Sequence, residues 1–110
     1  MIKVSNDEMA RENLYRQSWM DFAAWESGNV DFWLNDDDEV IAYLRWDDRD
    51  ASGIAFFEVR DRGQGIGGEI VRQLRAEKPG LYISGDIDSK ACRRFWVRMG
   101  FDVADVETVR

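Results

Sequence analysis

Apolar residues along this chain recur at two spacings, and the switches between them divide it into elements. "MIKVS" reads as a short first strand. From Asn6 or Asp7, either of which suits a helix cap, to the stop at Gly28-Asn29, Met9, Leu14, Trp19, Phe22 and Trp25 keep helical spacing. This predicts one helix, or two in tandem. "VDFWL" (30–34) and "EVIAYLRW" (39–46) flank the polar "NDDDE", the pattern of a hairpin. A third apolar run, "GIAFFEV" (53–59), follows the polar turn "DDRDAS". Helical spacing returns over 65–77 at Ile66, Ile70, Val71 and Leu74, and Pro79-Gly80 ends it. "LYISGDI" (81–87) is a further strand. Asp88 or Ser89 then caps a helix carrying Cys92, Phe95, Trp96 and Met99, which Gly100 stops. "FDVADVETV" (101–109) alternates as a closing strand. The order β-α-β-β-β-α-β-α-β predicts a single α/β domain over residues 1–110, with a mixed sheet.

Composition fits that domain and narrows its setting. The 110 residues are 45% hydrophobic, enough for one core without metal or disulfide support. The single cysteine, Cys92, permits no intramolecular disulfide, which fits a reducing compartment. The start is too polar for a signal peptide, and no apolar run reaches membrane-spanning length. The expectation is a cytoplasmic protein with no membrane partner. A net charge of −7 argues against nucleic acid as a partner. The charge is uneven: residues 1–58 hold 14 acids and 5 bases, residues 59–110 hold 8 acids and 10 bases. Solvated surfaces also segregate charge in this way.

"RDRGQGIGGEI" (60–70) places four glycines where a strand hands over to a helix. Each costs roughly 0.5–1 kcal/mol in a helix start relative to alanine. A tight turn or a close helix contact would explain them. So would a backbone that must approach a phosphate, because helix N-terminal N–H groups point one way and carry partial positive charge. Gly63-x-Gly65-x-x-Gly68, with Asp86 on the next strand, formally matches a dinucleotide-binding loop. However, "RDR" intervenes between strand and glycines, and the chain has no second nucleotide-binding half.

"RGQGIG" (62–67) also matches R/Q-x-x-G-x-G/A, and "SKACRRFWVRMGF" (89–101) follows N-x-x-A-x-x-F-Y-x-x-x-G-F at Phe95, Gly100 and Phe101. Ser89 falls on the Asn, Cys92 on the Ala and Trp96 on the Tyr. With the element order and a hairpin at "DFWLNDDDEVIAYLRW", where Ala42 takes a usual Gly, the chain resembles a small member of the GCN5-related N-acetyltransferase (GNAT) superfamily. That resemblance implies an α/β (α+β) acyltransferase-like domain with helices on both faces, whose fourth and fifth strands splay apart around acetyl-CoA. On it, Phe57, Glu58 and Val59 pair with the pantetheine arm, Gln64, Gly65, Ile66, Gly67 and Gly68 cradle the pyrophosphate, and Arg62 and Gly63 belong to the same cofactor-binding loop. Ser89, Phe95 and Trp96 line the far side. Arg62, Arg93 and Arg94 are candidates for the 3′-phosphate, or ordinary helix-surface residues. Core packing equally explains the side chains of Phe57, Phe95 and Trp96.

The implied chemistry is acetyl transfer by direct attack of an amine on the thioester. Trp96 replaces the tyrosine that commonly protonates the departing thiolate, and an indole N–H does not give up its proton usefully. Tyr82 or water is the alternative acid. Ala51 stands where some members carry a glutamate, and the chain has no histidine. Glu58 is the candidate base, beside a water-mediated path. Cys92 reads as a small buried residue rather than an acyl carrier, and "DDDE" (36–39) as a solvated turn rather than a metal site. The acidic first half suits a cationic acceptor, a small molecule or a protein lysine. GNAT members also often form homodimers. The departures leave a second expectation: a catalytically weak or inactive interaction module, such as a phage-encoded inhibitor or virion-associated protein. Exposed Trp19, Trp25, Trp33 or Trp46 would mark it.

Overall fold

Alternation makes the sheet. In Val30–Leu34 (β2) and Val40–Asp47 (β3), alternate residues turn to opposite faces, and both faces are buried. The computed structural model describes residues 1–5, 19–20, 29–85 and 90–101. Ile2–Ser5 (β1), β2, β3, Asp50–Val59 (β4) and Tyr82–Ile83 (β5) form one five-stranded sheet in sequential order. The first three pairings are antiparallel and β4–β5 is parallel. A parallel pairing needs a crossover, which the helix Ile66–Glu77 (α1) provides. Lys90–Arg98 (α2) follows β5. The result is an α+β domain with a mixed sheet and two described helices.

Both helices pack on one face. Ile70, Val71 and Leu74 of α1 and Trp96 of α2 are buried with Trp33, Leu44, Trp46 and Ile54 of the sheet. Burial of each large side chain contributes roughly 1.5–3 kcal/mol. Arg75 of α1 donates to the Met99 carbonyl and lies 4.1 Å over the Phe101 ring, tying the end of α2 to α1. Lys78, just past α1, lies 3.8 Å over the Trp46 ring and donates to the Ala51 carbonyl at 2.6 Å. The second face buries Val4, Val30, Phe32, Leu34, Val40 and Tyr43 with Met20, and Trp19 packs against them. The helix expected over 6–29 and the strand expected over 101–109 fall outside the described residues, apart from Trp19, Met20, Asn29 and Phe101. The helices expected on both faces are therefore described on one face only.

Strand limits differ from the sequence reading where polar side chains make turns. The turn "DDRDAS" contracts to Asp48-Arg49, because Asp47 Oδ1 accepts the Arg49 N–H at 2.8 Å and Asp50 Oδ1 accepts the Ser52 N–H at 2.9 Å. The first of these bonds holds the Asp47 carboxyl below its ordinary pKa. Strand β4 therefore begins at Asp50, three residues before the apolar run. Among the described residues, β5 pairs with β4 at Tyr82 and Ile83, where 81–87 is expected; residues 86–87 lie outside the described residues. In the β2–β3 turn Asn35 Oδ1 accepts the N–H groups of Asp37 and Glu39, at 2.9 and 3.0 Å.

The short β5 has a local cause. The Ile54 carbonyl accepts from both Ser84 N–H (2.9 Å) and Gly85 N–H (3.1 Å). A Cβ on Gly85 would lie inside the van der Waals envelope of the Ala55 carbonyl. Gly85→Ala is expected to destabilise the protein by about 3 kcal/mol through this overlap. Chemical denaturation checks it, against Gly80→Ala, where a Cβ meets open space.

Candidate functional site

Strand β4 outruns its partner. Gly53 and Ile54 pair with Tyr82 and Ile83, whereas among the described residues Phe56–Val59 pair with β3. At the branch point β3 pairs Trp46 with Ile54 and Arg45 with Phe56, leaving Ala55 as an unmatched bulge residue. From Ala55 to Val59 the side of β4 turned away from β3 has no strand partner among the described residues. Beside it lies a pocket of about 60 Å³, walled by Ile54, Phe57, Ile83, Gly85, Cys92 and Trp96.

The glycine loop stands at the far end of that free edge. Gly63 and Gly65 have φ of +82° and +76°, a left-handed conformation that glycine adopts without strain. A Cβ at Gly65 would meet nothing, so backbone conformation, rather than space, selects glycine there. Gly65 caps α1 without a side-chain bond, and its carbonyl accepts the Glu69 N–H at 3.1 Å. The N–H groups of Ile66, Gly67 and Gly68 thus have no acceptor within the helix. Gly67 is a contact glycine, since its Cβ would lie 3.3 Å from the Phe95 ring and 3.5 Å from Val59 Cγ2. Those distances bring the end of β4, the first turn of α1 and α2 together. Arg62, Gly63, Gln64 and Gly65 are exposed, while Ile66, Gly67 and Gly68 are half-buried.

The other sequence candidates divide by face. Phe57 and Val59 pair with Leu44 and Ala42 and turn toward the helices. There Phe57 lies 5.9 Å from Trp96 and 6.3 Å from Phe95, ring centre to ring centre. Trp96 is buried and also meets Phe101 edge-on at 5.2 Å. Glu58 turns to the second face, where its Oε2 accepts the Tyr43 O–H at 2.8 Å. Tyr82 stands apart from the free edge. It lies over Gly53, and its O–H donates to Asp50 Oδ2 at 2.9 Å. Arg93 is half-buried and Arg94 exposed on α2. Ser89 and Asp86 lie outside the described residues. Cys92 is half-buried in the pocket wall, and no group of potential metal ligands forms among the described residues.

Sequence reasoning missed the bulge at Ala55, the backbone contact at Gly85 and the Tyr43–Glu58 bond. A lone glycine ending the apolar "LYIS" was the available sign for Gly85. The bulge and the bond follow from register, which no local pattern announces. Comparison of the chain with protein-family models, curated proteins and solved structures finds no match in any of the three.

The bond to Asp50 raises the Tyr82 pKa, with partial desolvation adding to it. An upward shift means that the bond's contribution to stability is present below the ordinary tyrosine pKa and is lost as pH rises through the raised one. In Asp50→Asn, one tyrosine is expected to titrate at lower pH than in the parent. Phenolate absorbance across alkaline pH reads the change.

Proposed function

We propose that this protein is an acetyl-CoA-dependent N-acetyltransferase acting on an amine. The supporting observation is the edge of β4 at Ala55–Val59, which has no strand partner among the described residues and runs from a pocket at the branch point to the three N–H groups that open α1. That sequence of features suits a long acyl thioester ending in a pyrophosphate. Backbone groups of Phe57–Val59 would pair with amide groups of its arm, and the N–H groups of Ile66–Gly68 would receive the phosphates. Arg62, Arg93 and Arg94 are the candidates for a further phosphate.

Acetyl-CoA supplies an activated acyl group. The neutral amine forms a bond to the carbonyl carbon, the carbon–sulfur bond breaks, the amine loses a proton and the thiolate gains one. The chain's contribution is position and polarity. Backbone N–H groups by the Ala55 bulge would stabilise the carbonyl oxygen as it becomes negative. Trp96 and Phe57 would exclude water from the thioester. Trp96 cannot act as the acid, and the Tyr82 O–H is engaged by Asp50, so water is the proton source this reading favours. Glu58, on the opposite face of the same free segment, is the carboxylate suited to the acceptor amine.

An interaction module is the second reading, favoured by the pocket's small volume of about 60 Å³. Against it, Trp33 and Trp46 are buried and Trp19 is half-buried, so these rings do not present a tryptophan-rich surface. Trp25 lies outside the described residues.

Calorimetric titration separates the two. Acetyl-CoA is expected to bind and NAD to give no heat. Gly65→Asp is expected to weaken acetyl-CoA binding by about tenfold or more, because a carboxylate would occupy the N–H cluster. Aspartate tolerates the left-handed backbone and caps helices, so the melting temperature should hold within a few degrees. Absence of acetyl-CoA binding by the parent protein would leave the interaction module.

A further inference from the structure

We infer that this chain pairs with a second copy of itself, each copy seating the acidic tip of its β2–β3 hairpin on an arginine-lined seam between α1 and α2 of the other. The starting observation is how the cations are partnered. Around the sheet they meet carboxylates: Lys3 meets Glu77, Arg45 Asp48, Arg49 Asp47, and Arg60 both Glu39 and Asp61. Arg75 and Lys78 are held by carbonyls and aromatic rings. Arg72 of α1 and Arg94 and Arg98 of α2 are exposed, and among the described residues none of the three meets a carboxylate.

These arginines border one seam. A Cβ on Gly68 would lie 3.4 Å from Arg72 Nη1 and 3.6 Å from Met99 Sδ, so the guanidinium folds back over the first turn of α1, beside α2. On α2, Phe95 and Met99 pack toward Gly67 and Gly68, while Cys92 and Trp96 face the pocket. Arg94 and Arg98 each precede Phe95 and Met99 by one residue, about 100° around the helix, and so lie on the flank of the seam away from the sheet. Like charges gathered in this way repel one another, and an anionic surface relieves them.

The chain itself carries the complement. Asp36, Asp37 and Asp38 at the hairpin tip are exposed and, among the described residues, meet no cation. Asn35 fixes the turn that presents them, its Oδ1 accepting the Asp37 and Glu39 N–H groups, so docking needs little ordering of the backbone. Tip and seam lie at the same end of the sheet. Arg60 reaches Glu39 at 3.7 Å, and its neighbour Val59 stands 3.5 Å from the Gly67 Cβ position. Adjoining patches of opposite sign are self-complementary about a two-fold axis, which sets each tip against the other copy's seam and closes on two copies. Val97, 54% exposed and one turn from Arg94, adds an apolar side chain to a surface otherwise governed by charge. The pairing does not depend on acetyl-CoA.

The test is sedimentation velocity of the parent protein at rising concentration in low salt, without acetyl-CoA. Concentration-dependent dimerisation is expected, and its loss in about 1 M NaCl, where the screening length falls to about 3 Å. Arg72→Glu with Arg98→Glu, and separately Asp36→Lys with Asp37→Lys, should each weaken association about tenfold or more. An equimolar mixture of these two variants should restore it, because each reversed seam then meets a reversed tip and each parent seam a parent tip. Restoration also shows that both variants fold. A parent that stays monomeric, variants that associate as well as the parent, or a mixture of folded variants that does not associate overturns the interface. Should a reversal unfold the chain, Arg72→Gln with Arg98→Gln and Asp36→Asn with Asp37→Asn make the same test by loss alone. Acetyl-CoA binding by a monomeric parent sinks this inference alone, and a dimer that ignores acetyl-CoA sinks the acetyltransferase reading alone.

Discussion

The architecture turns on one crowded point, where the Gly85 backbone rests on the Ala55 carbonyl and Ile54 accepts two N–H groups. A sheet gains most by continuing to pair, since unpaired backbone groups lose hydrogen bonds. Among the described residues, β4 and β5 pair at two positions. A bulge lies at Ala55, and Gly85 passes close against the Ala55 carbonyl. Three features gather beside it: an edge of β4 with no strand partner among the described residues, a pocket against α2, and the start of α1 beside Val59.

The free segment then has two characters on its two faces. Toward the helices, Phe57 and Val59 join an apolar cluster with Trp96 and Phe95. Away from them, Phe56 and Glu58 form an aromatic and acidic surface over Tyr43. The alternation of a strand achieves this in four residues.

Much of the fold was legible because periodicity is a local property. The strands at 30–34 and 40–47 and the helix at 66–77 fall within a residue of their expected limits. The limits that moved did so for tertiary reasons. Asp47 and Asp50 tighten a turn that reads as a loop, and β5 is cut short by a contact with a strand some thirty residues away in sequence. The site was legible in its glycines but not in the reasons for them. Gly65 serves backbone conformation, Gly67 a helix contact, and Gly85 attracted no notice. Which face Glu58 occupies depends on where the bulge falls, and a bulge of one residue reverses every side chain beyond it.

The brevity of the β4–β5 pairing has a consequence for the order of folding. Strands β2, β3 and β4 are joined by short turns, so their contacts close small loops and can form early. Strand β5 reaches β4 only after α1 has crossed the sheet, and two residue pairs hold little against the entropy of that longer loop. The meander's pairings are therefore the ones expected to form first, with α1, β5 and α2 docking afterwards. The part of the molecule that forms last is then the part that walls the pocket, and it is also the part that the protein can most readily loosen without unfolding its sheet.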